Sequence, residues 1–193
     1  MNTSKSLTLS SIGLPSLEER ALIEDLKRGD PDAARRLVER YQGLLFGVCL
    51  RMLRHRQDAE DVLQDTLVRA LRGIRGFDQK RPLRPWLLGI AANRCRTMLG
   101  RRGRRIHSTD MVDIHADPRS GLADPDDLAG ELQNAIDQLR PDYRMVFILF
   151  HENGLPYEEI SAAIRRPIGT VKTWLHRARA DLAEYLAARG HAT

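Results

Sequence analysis

Apolar residues recur at helical spacing along most of the chain, and the stripes they form predict its elements. Leu37, Tyr41, Leu44, Leu45, Val48 and Met52 share one face of a helix. Ala59, Val62, Leu63, Leu67, Ala70, Leu71 and Ile74 share a face of the next. Asp30-Pro31 and Gln57-Asp58 mark the starts. An aspartate carboxylate accepts from the free N–H groups of a first turn, and a proline there lacks only a donor that would have no partner. A third helix is expected from about Pro85-Trp86 through Leu87, Ile90, Ala91 and Met98. The period then stops: HSTDMVDIHADPRSGLADPDDLAG is rich in Asp, Gly and Pro and reads as a linker. Helical spacing resumes at Leu132, Ile136 and Leu139 and continues through Met145, Val146, Leu149 and Phe150.

Near the end, PYEEISAAI makes a short amphipathic helix with Ile160 and Ile164 inward, and RRP breaks it. IGTVKTWLHRARADLAEYL then makes a longer helix with Val171, Leu175, Ala178 and Leu182 inward. No stretch alternates as a strand and no segment repeats. The pattern predicts an all-α protein of two small helical domains joined by an acidic flexible linker. The boundaries fall at 1–16 for a disordered start, 17–105 for the first domain, 106–130 for the linker and 131–190 for the second domain. A length of 193 residues suits that division.

Charge divides along the same boundaries. The net charge is only +5, but residues 79–109 hold nine basic and no acidic residues, and residues 110–131 hold seven acidic and one basic. Such separation points to different partners for different segments. The acidic stretch, with Asp110, Asp113, Asp117, Asp124, Asp126 and Asp127, is either a mimic of a negatively charged strand or a soluble tether.

Several classes are excluded. No apolar run approaches a membrane-spanning length, and MNTSKSLTLSSIGLPS lacks the apolar centre of a secretory signal. The expectation is a cytoplasmic protein without membrane insertion. Cys49 and Cys95 form no CxxC and are expected at buried helical positions. His55, His107, His115, His151, His176 and His191 show no metal-ligand spacing, so neither a metal nor another cofactor is expected. No GxSxG or phosphate-cradling glycine loop occurs, and Glu158-Glu159 reads as first-turn carboxylates favoured by the helix dipole. Catalysis is not expected.

RRPIGTVKTWLHRAR, residues 165–179, holds five basic residues and no acidic one. Two helices joined by a turn of three or four residues have the geometry of a helix-turn-helix, whose second helix enters the major groove. With residues 171, 175 and 178 inward, Lys172, Thr173, His176 and Arg177 face outward, where cationic donors and a hydroxyl suit base edges and phosphates. A solvated basic helix is the plain alternative, and Trp174 reads first as a packing residue.

GLPYEEISAAIRRPIGTVKTWLHRARADL resembles the fourth conserved region of bacterial sigma factors of the extracytoplasmic-function (ECF) group of the sigma-70 family. Upstream, DAEDVLQDTLVRAL resembles the part of their second domain that docks on RNA polymerase, and WLLGIAANRCRTMLGRRGR resembles the part that binds and opens the downstream promoter element. The matches stand in the family's order and span about residues 17–190. The resemblance implies a sigma-2-type bundle and a sigma-4-type helix-turn-helix domain. The implied partners are core RNA polymerase, through its beta-prime clamp helices and beta subunit, promoter DNA at its −35 and −10 elements, and an anti-sigma factor covering both domains.

Residue by residue, the resemblance places Asp61, Gln64 and Asp65 on the polymerase-docking face. In sequence they lie on one side of their helix, opposite Val62, Leu63 and Leu67. It places Lys80, Arg81, Arg84, Trp86, Asn93, Arg94, Arg101 and Arg102 at the downstream element, with the loop 78–84 and Asn93 forming a base pocket that Trp86 braces; Arg96 is a further phosphate candidate. Capturing an unstacked base costs a few kcal/mol, which contacts to the unpaired strand offset without metal or ATP. Upstream contacts fall to Thr170, Lys172, Thr173, His176, Arg177 and Arg179.

The chain departs from the family pattern in places. Pro156 stands where Ser is frequent, Arg165 where Gly is usual in the turn, Arg166 at a usually apolar position, Leu83 for an aromatic and Thr97 for an acid. The rival readings are a helix-turn-helix regulator that binds duplex DNA without polymerase, and an enzyme such as a recombinase, for which no nucleophile or carboxylate cluster is visible.

Overall fold

The structure, a computed structural model, describes residues 15–108 and 128–190; of residues 102–108 and 128–129 only the backbone is described. The expected disordered start, most of the linker and the side chain of Arg102 therefore lie outside the described residues. Within them every regular element is helical: α1 Leu17–Arg28, α2 Pro31–Leu53, α3 Arg56–Gly73, α4 Leu83–Ser108, α5 Leu128–Gln138, α6 Pro141–Phe147, α7 Tyr157–Ile164 and α8 Ile168–Ala187. A 3₁₀ turn, Ile74–Gly76, closes α3, and a π turn, Ile148–Glu152, extends α6.

Local chemistry sets the boundaries. The Asp30 carboxylate accepts from the Asp32 N–H at 2.9 Å and Pro31 opens α2, as the sequence pattern requires. Helix α3 begins slightly before Gln57-Asp58. Its cap is His55, whose Nδ1 lies 3.3 Å from the donating Asp58 N–H. A neutral imidazole offers one lone pair and can take the place of a carboxylate. Helix α4 begins at Leu83, two residues ahead of Pro85. Glu19 of α1 makes this possible: its Oε1 accepts the Leu83 N–H at 2.7 Å, capping a helix 64 positions away in sequence. Glu19 is buried, and the Tyr41 hydroxyl lies 3.5 Å from the same oxygen. Burial, reinforced by the negative charge of Glu19, pushes the Tyr41 phenol up to about 12.

Helices α1–α4 form the first bundle, and α5, α6, α7 and α8 form the second. The bundles are not separate bodies. Helix α4 also packs on α7 and α6, and α2 packs on α6. One apolar core runs from Leu37, Leu45 and Met52 through Leu87 and Leu88 into Met145, Ile148, Leu149, Ile160 and Ile164. A smaller core of Ala135, Ile136, Leu139, Tyr143, Ala178 and Leu182 belongs to the second bundle alone. Cys49 and Cys95 are free and fully buried. Contact with the Cys49 sulfur, together with burial, pushes the Cys95 thiol up, so it stays protonated.

Arg144 stitches the bundles together. It is 8% exposed, and its guanidinium donates to the Met52 carbonyl at 2.8 Å and to the carbonyls of Asp137 and Leu139. Burial holds its pKa below the usual arginine value, against the opposing effect of Asp137.

Candidate nucleic-acid interface

The outer face of α3 follows from its inner one. Ala59, Val62, Thr66 and Ala70 are buried, which leaves Asp61, Gln64 and Val68 exposed along one side. Val68 is 44% exposed, an apolar spot in an otherwise polar strip. Asp65 lies in a different environment from Asp61 and Gln64. Its carboxylate accepts from Arg69 Nε at 2.9 Å and pairs with Arg94 of α4. Burial alone would raise the Asp65 pKa, but the hydrogen bonds and charges of Arg69 and Arg94 outweigh it and hold the carboxyl below its usual value.

Of the residues expected at the downstream element, Arg81, Trp86, Asn93 and Arg94, with Arg96, line a cleft of about 1080 Å³ between the bundles, whereas Lys80, Arg84 and Arg101 do not. The Trp86 ring lies 4.6 Å from that of Phe77 and its edge rests on Gly73, which fixes the side of the loop 78–82. Within that loop the Asp78 carboxylate accepts the Lys80 N–H at 3.0 Å and leaves the Lys80 side chain exposed. Arg81 is exposed, as is Arg101. Arg84, Asn93, Arg94 and Arg96 are half-buried and each already has a partner. Arg84 donates to the Asn153 carbonyl at 2.7 Å. Asn93 Nδ2 donates to the carbonyls of Gly89 at 2.8 Å and Ala163 at 3.4 Å. Arg94 pairs with Asp65, and Arg96 lies 3.3 Å from Asp142. Glu159 of α7 faces the same cleft. Burial raises its pKa, opposed by the charges of Arg84 and Arg81.

Helices α7 and α8 form the helix-turn-helix. Arg165 adopts the left-handed conformation the turn requires, with φ 54°, at a cost of about 1 kcal/mol for a residue with a Cβ. Its turn is held by Ser161 Oγ, which donates to the Arg166 carbonyl at 2.6 Å. Pro156 provides no side-chain cap to α7. Val171, Leu175, Ala178 and Leu182 are buried, while Lys172, Thr173, His176, Arg177 and Arg179 are exposed and Thr170 is half-buried. Trp174 packs half-buried under the Arg166 guanidinium, 6.0 Å from its ring centroid. Aromatic rings from neighbouring helices support the cationic side chains: Lys172 lies 5.7 Å from the Tyr157 ring and Arg179 5.4 Å from that of Phe150. Arg177 donates to the Tyr143 hydroxyl at 3.2 Å.

Sequence reasoning missed Glu19, Asn153 and this aromatic collar. Only the collar had a signal, in the aromatic spacing of Tyr143, Phe147, Phe150 and Tyr157. Among the described residues no cluster of His, Cys, Asp or Glu has the arrangement of a metal site.

This is the architecture of a two-part helical DNA-binding factor. Residues 37–105 match Sigma-70 region 2, and residues 129–182 match Sigma-70, region 4. The RNA polymerase sigma-H factor of Pseudomonas aeruginosa is 31% identical over 176 residues, covering 84% of this chain and 90% of that one. The ECF RNA polymerase sigma factor SigW of Bacillus subtilis is 31% identical over 176 residues, covering 85% and 94%. Two solved structures share the fold. One is the sigma factor RpoE in complex with the anti-sigma factor NepR from Bartonella quintana, with a TM-score of 0.61, 28% identity, and 79% of this chain and 96% of that one covered. The other is CnrH in complex with the cytosolic domain of CnrY, with a TM-score of 0.65, 26% identity, and 88% and 97% covered. The chain belongs to the ECF group of the sigma-70 family. It is a promoter-recognising RNA polymerase sigma factor, a non-enzymatic initiation factor, which sets aside the polymerase-independent regulator and the recombinase.

Proposed function

We propose that three faces of the chain divide the work of initiation. Asp61 and Gln64 on α3, with Val68 beside them, dock on the beta-prime clamp helices of core polymerase, and the second domain meets the beta subunit. Asp65 belongs to this face by position and acts through Arg94. Lys80, Arg81, Arg84, Trp86, Asn93, Arg94, Arg101 and Arg102 hold the opened −10 element. Thr170, Lys172, Thr173, His176, Arg177 and Arg179 read the −35 duplex. The units run over residues 17–105 and 131–190, joined by 106–130. The protein acts in the cytoplasm, where its polymerase is, and an anti-sigma factor binds it, as the anti-sigma factor NepR is found in complex with the RpoE of Bartonella quintana.

The observation that carries this reading is the exposure of Asp61 and Gln64 on a face that the other described residues leave uncovered. An apolar spot such as Val68 ringed by polar side chains matches the apolar centre and polar rim of a protein interface. The test is retention of purified core polymerase by the immobilised chain. Asp61→Arg with Gln64→Ala is expected to weaken retention by about thirtyfold, or ~2 kcal/mol, with the helical content unchanged. Unchanged affinity would remove the assignment.

A further inference from the structure

The cleft between the bundles carries more cations than the fold pairs. Its lining holds seven arginines against three carboxylates, those of Asp65, Asp78 and Glu159. Asp65 is shared by Arg69 and Arg94, and Arg96 takes Asp142 from outside the lining. Among the described residues, the side chains of Arg72, Arg81 and Arg165 form no hydrogen bond or ion pair, and Arg166 lies only against the Trp174 ring. All four are exposed. Like charges gathered in a partly enclosed cleft repel one another and focus their field on any anion that enters.

The four are divided between the two walls. Arg72, in the last turn of α3, and Arg81, in the loop 78–82, belong to the first bundle; Arg165 and Arg166 form the turn between α7 and α8. Both residues of that turn depart from the family pattern, Arg165 from a usual Gly and Arg166 from a usual apolar residue. Each departure adds charge to the cleft, and the first does so at the cost of a left-handed backbone, with φ 54°. Trp86 stands on the first wall. Its edge rests on Gly73, beside Arg72, and its ring lies 4.6 Å from that of Phe77. An indole offers a flat face to any base, and a guanidinium takes phosphate oxygens through two parallel N–H donors. At about 1080 Å³ the cleft is at the upper end of small-ligand pockets. It is too large for inorganic phosphate alone and roomy enough for a base, a sugar and two or three phosphates.

We propose that this cleft binds a nucleoside diphosphate or triphosphate, with the base on Trp86 and the phosphates held by Arg72 and Arg81 from one wall and Arg165 and Arg166 from the other. The site does not depend on which strand α4 holds, because Arg72, Arg165 and Arg166 belong to none of the three faces assigned above. A ligand gripped from both walls also ties the bundles together, so its binding adds to the stability of the folded chain.

The test is calorimetric binding of ADP to the full-length chain, with adenosine and pyrophosphate as the two halves of the ligand. ADP is expected to saturate one site per chain and raise the Tm, and each half should bind at least about tenfold more weakly. Arg165→Gly removes a guanidinium and puts the favoured residue at a left-handed position, so it should fold at least as well and bind ADP about tenfold more weakly. Arg72→Gln should weaken ADP and pyrophosphate by about tenfold and leave adenosine unchanged. Trp86→Leu should do the reverse, weakening ADP and adenosine by about tenfold and sparing pyrophosphate. Arg35→Gln, which removes an exposed charge outside the cleft lining, should change nothing. Failure of both ADP and GDP to saturate at about 1 mM would overturn the proposal, even if a single-stranded oligonucleotide bound. Pyrophosphate binding as tightly as ADP, or Arg35→Gln weakening ADP as much as Arg165→Gly, would also overturn it, by revealing only the general attraction of anions to a basic chain.

Discussion

Helices α4 and α8 both present arginines and polar side chains suited to DNA, yet the free chain leaves one open and covers the other. On α8 a single inward stripe, Val171, Leu175, Ala178 and Leu182, satisfies the packing and leaves Lys172, Thr173, His176, Arg177 and Arg179 in solvent. On α4 the middle is enclosed on both sides, with Leu87, Leu88, Ala91, Ala92 and Cys95 in the core and Gly89 under α7. The two reading tasks proposed for these helices fit the difference. A duplex is read by long polar side chains along one exposed face. Holding an unstacked base calls for a recess with aromatic and apolar walls, and the cleft beside α4 is lined in part by Trp86, Phe77 and Ile90.

The comparison breaks most severely at the residue that joins the bundles. Arg144→Ala leaves the carbonyls of Met52, Asp137 and Leu139 short of a donor in a buried site. It should lower the free energy of urea unfolding by about 3 kcal/mol. One of these bonds crosses between the bundles and two lie within the second bundle, so the loss should loosen both and make α4 more accessible in the folded fraction. Next in size is Arg177→Ala on the open reader. In holoenzyme it should weaken upstream duplex binding by about 1–3 kcal/mol, seen by mobility shift, without changing the fraction of bound promoters that open.

Glu19 sharpens the contrast, because it shapes only the covered reader. Glu19→Ala removes the acceptor for the Leu83 N–H and should cost about 1–2 kcal/mol of stability while slowing promoter opening. Glu19→Gln, which keeps an acceptor oxygen, should cost less. Upstream binding should be unaffected by either.

The smallest effect belongs to His151 beside α8. Burial and the Arg179 charge hold this imidazole below its usual pKa, and its Nε2 accepts from Arg179 Nε at 3.2 Å. Between the lowered folded pKa and the unfolded value of about 6.5 the unfolded chain binds more protons, so stability falls as pH drops through that window. The urea midpoint should decline slightly from pH 7.5 to pH 5.5, about those limits, and His151→Gln should flatten the decline.

Much of this was legible in the sequence because it is local. Asp30-Pro31, the inward stripe of α8, the break at Arg165–Pro167 and the uncapped Pro156 each declare themselves within a few residues. The candidate contacts on α8, Lys172, Thr173, His176 and Arg177, follow from the helical pattern alone, whereas those proposed on α3 and α4 come only through the family pattern, since Asp61 and Gln64 alone read as an ordinary solvated face. What stayed hidden is contact between distant segments. Nothing beside Leu83 announces that Glu19 caps it, and nothing beside Arg144 announces Met52. His55 was passed over because imidazole is a less usual helix cap than Asp, Ser, Thr or Asn. The run Gly89-Ile90-Ala91-Ala92 did carry a hint, because a small residue in mid-helix admits a close neighbour, but the sequence does not say which neighbour arrives.

The division of labour between α4 and α8 is tested most directly on holoenzyme assembled from core polymerase, at a promoter selected by run-off transcription. DNase footprinting would report the upstream contact, and permanganate reactivity of unpaired thymines the opening. Asn93→Ala should keep the upstream footprint and lose the reactive thymines, even though it also removes a contact that covers α4. Arg177→Ala should lose the footprint first. An Asn93→Ala holoenzyme that opens DNA like wild type, or one that loses the upstream footprint as fully as Arg177→Ala, would contradict the account.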